Sequence, residues 1–436
     1  MHNLVARLLL YRDLESDSIL MKLSAIFQDF HLNRAGKEEL IPRIHMEMKR
    51  LLDLATVYGF DKNLWHNYLT FLLMTNENPF SLICEKVGAP DGTVNHFAKK
   101  DFRIFKELFD FRFDEIEKEL DIDCFSIISD YRAIIKKEKM YQANVSERVR
   151  ELSLEIEEAR DENAVFDVVT RFYQIYGVGM FGLHKAFRIK ENEKGLDIFP
   201  IHNMDKVMLN DLIGYDMQKK NLIENTKAFV QGQKANNVLL FGDSGTGKST
   251  CVKAIVNEYY EQGLRMIEIY KHQFKDLSTV IAKIKNRNYR FIIFMDDLSF
   301  EEFEIEYKFL KAVIEGGVET KPDHVLIYAT SNRRHIIKET WSDKNDMMHE
   351  NGGELHKSDT VQEKHSLVHR FGVTISFDRP SQKEYFRIVK ELAKRESNLN
   401  ISEEELIHQA NQWELSHGGR SGRTAVQFIR HLVGVI

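Results

Sequence analysis

One stretch constrains this chain more than any other: Val238-Leu-Leu-Phe-Gly242-Asp243-Ser244-Gly245-Thr246-Gly247-Lys248-Ser249-Thr250. Its apolar start has the composition of a buried strand. Gly242 to Ser249 then fits G-x-x-x-x-G-K-[ST], the phosphate-binding (Walker A) pattern. Glycines let the backbone approach an anion closely, so that N–H groups converge on phosphate oxygens at a helix N-terminus. Lys248 has the reach to meet the outer phosphates, and Ser249 offers a hydroxyl to Mg2+. Val252, Ile255, Val256 and Tyr259 recur at helical spacing and give the following helix a buried face. An ordinary glycine-rich turn between strand and helix is the competing explanation, and it leaves this ordered context without a reason.

A fold of this kind needs several strands in order, and the sequence supplies them. Leu264–Tyr270 reads as a strand and Leu277–Ile284 as a short helix. Phe291-Ile-Ile-Phe-Met295 is a continuous apolar run ending in Asp296-Asp297, the pattern of a parallel strand buried on both faces. In open α/β sheets the carboxyl ends of strands face the ligand crevice. Asp296 is therefore placed to complete the Mg2+ shell beside Ser249, and Asp297 to orient or deprotonate a water. A charged helix at 301–315 precedes His324–Asn332, a further strand ending in polar groups. In a sheet where this strand lies between the phosphate-loop strand and the Asp296 strand, Asn332 would face the outermost phosphate and the water; a capping or turn asparagine is the competing explanation. Val373–Phe377 is the last strand, and Pro380 ends it.

Composition restricts the alternatives. A length of 436 residues allows two or three domains, and a hydrophobic fraction of 43% suffices for ordinary cores. A formal net charge of −6 does not favour nonspecific nucleic-acid binding through global charge. Cys84, Cys124 and Cys251 are isolated and form no zinc spacing. The run Leu8-Leu9-Leu10 is interrupted by Arg7 and Arg12, and no apolar run approaches membrane-spanning length. The expectation is a cytoplasmic protein with no membrane segment.

Residues 1–195 read as a mostly helical N-terminal domain, with helices expected at about 15–30, 36–59, 64–75, 95–109, 145–158 and 163–176. Phe102, Phe105, Phe109, Phe111 and Phe113 crowd one segment, and helix core explains them better than a docking surface. Lys136, Lys137 and Lys139 form a basic cluster that reads as a solvated face. His45, His66 and His96 lack metal-ligand spacing. The polar stretch Lys190–Gly195 has linker composition, which puts a domain boundary there. The hydrophilic stretch 337–366 reads as a long loop or insertion; its His349, His356 and His365 are weak metal candidates. Helices at Gln382–Arg395, Ser402–Trp413 and Gly422–Leu432 suggest a small C-terminal bundle, with Ser402–Glu405 as a capping box.

In chain order, Leu212–Gly214, Gly242–Ser249, Phe291–Asp297, Ala329–Asn332, Arg370 and Gly422-Arg423 resemble the AAA+ ATPase superfamily over about residues 205–436. Tyr328–His335, Leu367–Gly372 and Ser421–Phe428 narrow the resemblance to predicted bacterial AAA+ ATPases of unknown function with a helical N-terminal region. The resemblance implies an α/β P-loop core over 196–378, with a parallel five-stranded sheet and flanking helices, and a helical lid over 379–436. Leu212, Ile213 and Gly214 would lie against the base of ATP. Asn332 would be the sensor-1 residue. Arg370 would be an arginine finger for a neighbouring subunit, and Arg423 the sensor-2 arginine, with Arg420 its nearest rival. The implied activity is Mg2+-dependent ATP hydrolysis in a homo-oligomer that remodels a protein or nucleoprotein partner, with the N-terminal domain a candidate for meeting it. Two features depart from the superfamily. Asp297 stands where glutamate is usual, and no aromatic-hydrophobic-Gly pore loop follows Leu264–Tyr270. A slow or non-hydrolysing nucleotide switch, a helicase-loader-like DNA-associated ATPase and a small-molecule phosphotransferase therefore remain as alternatives.

Overall fold

A computed structural model describes all residues except 13, 15–16, 134–142, 193–194, 299–305, 316–320, 333–369, 397–398, 400 and 436. The basic cluster at 136–139, the stretch 337–366 with its three histidines, and the motif residues 333–335 and 367–369 lie outside the described residues. The chain divides into two compact units, Met1–His184 and Lys185–Ile436.

The first unit is helical. Helices at Ile19–His31, Lys37–Tyr58, Leu64–Thr75, Thr93–Phe109, Ala143–Glu158 and Glu162–Tyr176 correspond to the six expected. Five shorter ones among the described residues, Pro79–Val87, Asp114–Leu120, Cys124–Ser129 and the single turns His2–Val5 and Met180–Leu183, add to them. Asn78 caps the first of these in a reciprocal capping box with Ser81, and Pro79 takes the first turn, where a missing N–H costs nothing. Phe102, Phe105, Phe109 and Phe113 are buried and Phe111 packs against the same core, so the aromatic cluster is core. The buried Asp101 carboxylate accepts the backbone N–H groups of Leu9, Leu10 and Tyr11 at 2.8–3.1 Å and ties down the start of the chain. Tyr11 and Tyr173 share a buried hydroxyl–hydroxyl bond of 2.8 Å.

The second unit is built on a seven-stranded sheet: β1 (Ala186–Asn192), β2 (Gly195–Pro200), β3 (Val238–Gly242), β4 (Leu264–Glu268), β5 (Arg290–Met295), β6 (Val325–Ser331) and β7 (Val373–Phe377). The strand order is β2-β1-β4-β5-β6-β3-β7. The run from β4 to β7 is parallel throughout and forms the expected five-stranded core. It is extended by β1, parallel to β4, and by β2, antiparallel to β1. This corrects one expectation: in the polar stretch read as a linker, Lys190–Asn192 belong to β1 and Gly195 opens β2, and the division between units falls ahead of it.

Burial explains the strand compositions. Every residue of β4 and β6 is buried, as is β5 apart from Arg290, so none of the three shows apolar–polar alternation in its exposure; β5 is a continuous apolar run after Arg290, and β4 buries Arg265 and Glu268 among apolar neighbours. The edge strand β2 instead alternates exposed and half-buried residues. Helices at Asp216–Val230 and Lys248–Tyr259 contribute Leu222, Phe229, Val252, Ile255 and Val256 to a core beneath β3, β4 and β6. The C-terminal helices, Gln382–Lys394, Glu403–Ser416 and Gly422–Val435, have their own core of Tyr385, Ile388, Val389, Leu406, Ala410, Ala425, Phe428 and Ile429. The full capping box in this bundle is Ser381–Glu384; Ser402 also caps its helix, accepting the Glu405 N–H. Among the described residues no helix is long and apolar enough to cross a membrane, and no group of three or more His, Cys, Asp or Glu could hold a metal.

Candidate active site

Register brings the polar residues together at the carboxyl ends of the strands. Phe241 pairs with Ser331, so the phosphate loop leaves β3 beside Asn332. Met295 pairs with Ala329, which puts Asp296 next to Thr330. The side chains then interlock. Ser249 Oγ donates to Asp296 Oδ1 at 2.5 Å, and Thr330 Oγ1 donates to the same oxygen at 2.6 Å. The Asp297 N–H donates back to Thr330 Oγ1 at 2.9 Å, and Asn332 Nδ2 donates to Asp297 Oδ1 at 2.6 Å. Asp297 has a left-handed backbone, φ +53°.

The loop has the shape its glycines permit. Gly242 sits at φ +129°, and a Cβ there would lie 2.4 Å from the Phe377 carbonyl oxygen. Gly245, at φ +77°, faces the lid, where a Cβ would meet Ser421 Oγ at 3.0 Å and Arg423 Cβ at 3.1 Å. No side chain larger than hydrogen fits either place without displacing backbone or the lid. Thr246 Oγ1 donates to the Asp243 carbonyl at 2.8 Å and holds the turn. Lys248 opens the helix and is buried; its Nζ donates to the carbonyls of Gly242 at 3.1 Å and Asp243 at 2.6 Å. Burial lowers the Lys248 pKa from the usual lysine range, against the opposing pull of Asp243, Asp297 and Asp296.

Leu212–Gly214 lies between two cores. Leu212 packs on the sheet core and Ile213 on the lid core. The Leu212 carbonyl accepts Lys219 Nζ at 2.8 Å, and Arg395 of the lid donates to the carbonyls of Asp211 and Asn210, both at 3.1 Å. The last lid helix meets the phosphate loop directly, because the Arg423 N–H donates to the Gly245 carbonyl at 3.1 Å. The Arg423 charge is near enough to Lys248 to disfavour its protonation. Arg420 has no comparable tie to the loop among the described contacts.

Arg370 is the one expected site residue that the fold keeps away from this cluster. It is exposed and lies three residues before β7, whose first residue, Val373, pairs with Val238 at the start of β3. Arg370 thus sits toward the amino end of the strands, and the phosphate loop leaves their carboxyl end.

The residues fit a nucleotide phosphate group with a hard divalent cation. The cradle is one that a Cβ would fill, its lysine is buried beside it, and a hydroxyl and a carboxylate stand in contact as oxygen donors. Two contacts have no local sequence signal, although Asp243 itself belongs to the expected phosphate loop. Thr330 links both acids of the β5 end, and Asp243 turns its carboxylate to the lid side, accepting the Arg379 N–H at 2.9 Å.

Residues 182–436 match the family described as a protein of unknown function (DUF815). The chain belongs to that family. Together with the loop, the acids ending β5 and the strand order, this membership identifies an AAA+ P-loop protein whose family description assigns no function. Over 51 residues, 12% of this chain and 11% of the relative, it is 43% identical to the replication factor C large subunit of Methanococcus maripaludis strain C7. The same protein from strain C6 is 45% identical over 51 residues. The chain thus spans about a tenth of the length of these relatives. Among solved structures it is similar to the Thermotoga maritima RuvB Holliday junction branch migration motor, at 17% identity and a TM-score of 0.35, over 53% of this chain and 66% of that one.

Proposed function

We propose that this chain binds ATP with Mg2+ at the Gly242–Thr250 loop and hydrolyses it as part of a homo-oligomer that remodels a protein or nucleoprotein partner. The observation that carries the reading is the continuous contact chain Ser249–Asp296–Thr330–Asp297–Asn332 at the strand ends. It joins a cation-ligand pair to an acid–amide pair, which is the arrangement that hydrolysis of a terminal phosphoanhydride requires.

Each group has a task that its position supports. Loop N–H groups and Lys248 hold the phosphates, and Leu212, Ile213 and Gly214 flank the base. Mg2+, held by Ser249 and Asp296, would supply charge neutralisation on the phosphate oxygens. Asp297 accepts a proton from the attacking water, and Asn332 holds Asp297 and that water in line. Arg423 reaches the phosphates from the lid. Arg370, placed toward the amino ends of the strands, serves a neighbouring subunit, so one chain alone turns over slowly. The local match to a replication factor keeps a nucleoprotein among the partner classes.

The experiment is ATP turnover with Mg2+ by wild type, Lys248→Ala, Arg370→Ala and an equimolar mixture of the two variants. The reading expects both variants to be nearly inactive and the mixture to regain part of the activity, since an Arg370→Ala site can receive its arginine from a Lys248→Ala subunit. Turnover unaffected by either substitution refutes hydrolysis at this site; inactive variants whose mixture stays inactive refute the shared site. Tight ATP binding with negligible wild-type turnover would instead support the nucleotide-switch reading, which the shorter Asp297 motivates. Stimulation by single-stranded DNA would direct the partner search to nucleoproteins.

A further inference from the structure

An aspartate at the second position of a phosphate loop calls for a physical explanation, because a carboxylate facing the ligand would repel the anion the loop collects. The Asp243 side chain is buried and faces the opposite way. Its Oδ2 accepts the Arg379 N–H at 2.9 Å, its Oδ1 lies 3.4 Å from Arg379 Nε, and its own N–H donates to the Phe377 carbonyl at 3.0 Å. One loop residue thus holds the segment Phe377–Arg379, where β7 ends and the chain turns through Pro380 and the Ser381 cap into the first lid helix. Two residues on, the Gly245 carbonyl holds the Arg423 N–H of the last lid helix. The loop therefore grips the lid at both of its ends. The Asp243 carbonyl is also an acceptor of Lys248 Nζ, at 2.6 Å.

From these contacts we infer that Asp243 is a positioning residue that transmits phosphate binding to the lid. The inference rests on the proposal that the loop binds ATP. Phosphate oxygens compete with the Asp243 and Gly242 carbonyls for Lys248. When Lys248 moves to the phosphates, the peptide at Asp243 loses that partner and re-orients, and its carboxylate carries the change to Arg379 and the start of the lid. Asp243 touches neither nucleotide nor water in this scheme; it sets where the lid stands, and with it Arg423.

Hydrogen–deuterium exchange of the full chain, with Mg2+ and a non-hydrolysable ATP analogue, tests this on two sets of peptides, the loop at 242–249 and the lid at 379–395 and 420–435. In wild type the analogue slows exchange in both sets, by about fivefold or more in the lid for coupling of ordinary strength. Arg379→Ala removes only the ion pair, Asp243→Asn keeps an acceptor for the Arg379 N–H, and Asp243→Ala removes both. The expected order of lid protection is wild type, then the first two variants, then Asp243→Ala with about twofold or less, while the loop stays protected in all four. Arg379→Lys restores most of the wild-type response. Full lid protection in Asp243→Ala overturns the inference and leaves nucleotide binding standing. Absence of loop protection in wild type overturns nucleotide binding, and the inference with it.

Discussion

Thr330 is buried, with 1% of its surface exposed, and its hydroxyl both donates to Asp296 and accepts from the Asp297 N–H. Replacing it by valine preserves the shape of the side chain and removes both bonds. A hydrogen bond to a charged group contributes about 1.5–3 kcal/mol, and a donor left without a partner costs about 1–3 kcal/mol. Asp296 and Asp297 are exposed, so water makes up part of the loss. A net destabilisation of about 2 kcal/mol follows, which lowers Tm by about 4–8 °C in a unit of this size. The effect on turnover should be larger than the effect on stability. Thr330 sets the spacing of the two acids, and a displacement of about 1 Å at reacting groups can cost about 100-fold in rate. Thermal unfolding and Mg2+-dependent ATP turnover are the two assays, with Thr330→Ser as control. Serine keeps the hydroxyl, so its turnover should stay within a few fold of wild type while valine falls by about 10–100-fold. A valine variant that unfolds and turns over like wild type would refute the role given to Thr330.

Three other perturbations have definite outcomes. Gly242→Ala forces a methyl to within 2.4 Å of the Phe377 carbonyl at positive φ, so urea unfolding should show a loss of about 3 kcal/mol or more, with weaker nucleotide binding. Asp297→Asn keeps the size of the side chain and removes the base, so equilibrium binding should show ATP affinity within a few fold of wild type while turnover falls by about 100-fold or more. Ser381→Ala removes one half of a reciprocal capping box at the first lid helix, and thermal unfolding should register about 1 kcal/mol.

The local patterns were readable and the through-space ones were not. The central strand Arg290–Met295 follows from its apolar run, because a strand buried on both faces carries its signal in nearly every side chain, and the edge strand Val373–Phe377, with Ile375 and Phe377 buried and Thr374 exposed, is also found to the residue. The β1–β2 hairpin was concealed by Lys190–Gly195, since a strand end facing solvent is as polar as a linker. The five short N-terminal helices had too few turns to show a period, although Asn78-Pro79 and Ser81 marked the start of one. Ser249, Asp296, Asp297 and Asn332 could be placed in advance because motif spacing and strand ends locate them. The Thr330 bridge and the Asp243–Arg379 contact could not, since residues far apart in sequence have no shared period. The resemblance alone pointed to Arg423, whose backbone N–H meets the Gly245 carbonyl of the loop.

The backbone at Asp297 bears on how this site can change over time. A residue at φ +53° occupies a region that aspartate and asparagine enter far more readily than glutamate, because a short polar side chain can bond to nearby backbone. The acid at this place is therefore chosen by the handedness of the chain as well as by reach. A single-codon step to glutamate extends the carboxylate by one methylene but meets backbone strain, about 1 kcal/mol by the general preference. The two forms of the site are thus separated by a small valley: a glutamate either bears that strain or relaxes φ, which moves the chain at Leu298, whose N–H donates to the Thr330 carbonyl at 2.6 Å. A lineage that begins with aspartate here would tend to keep it, and would adjust its rate through Asn332 and Thr330 instead.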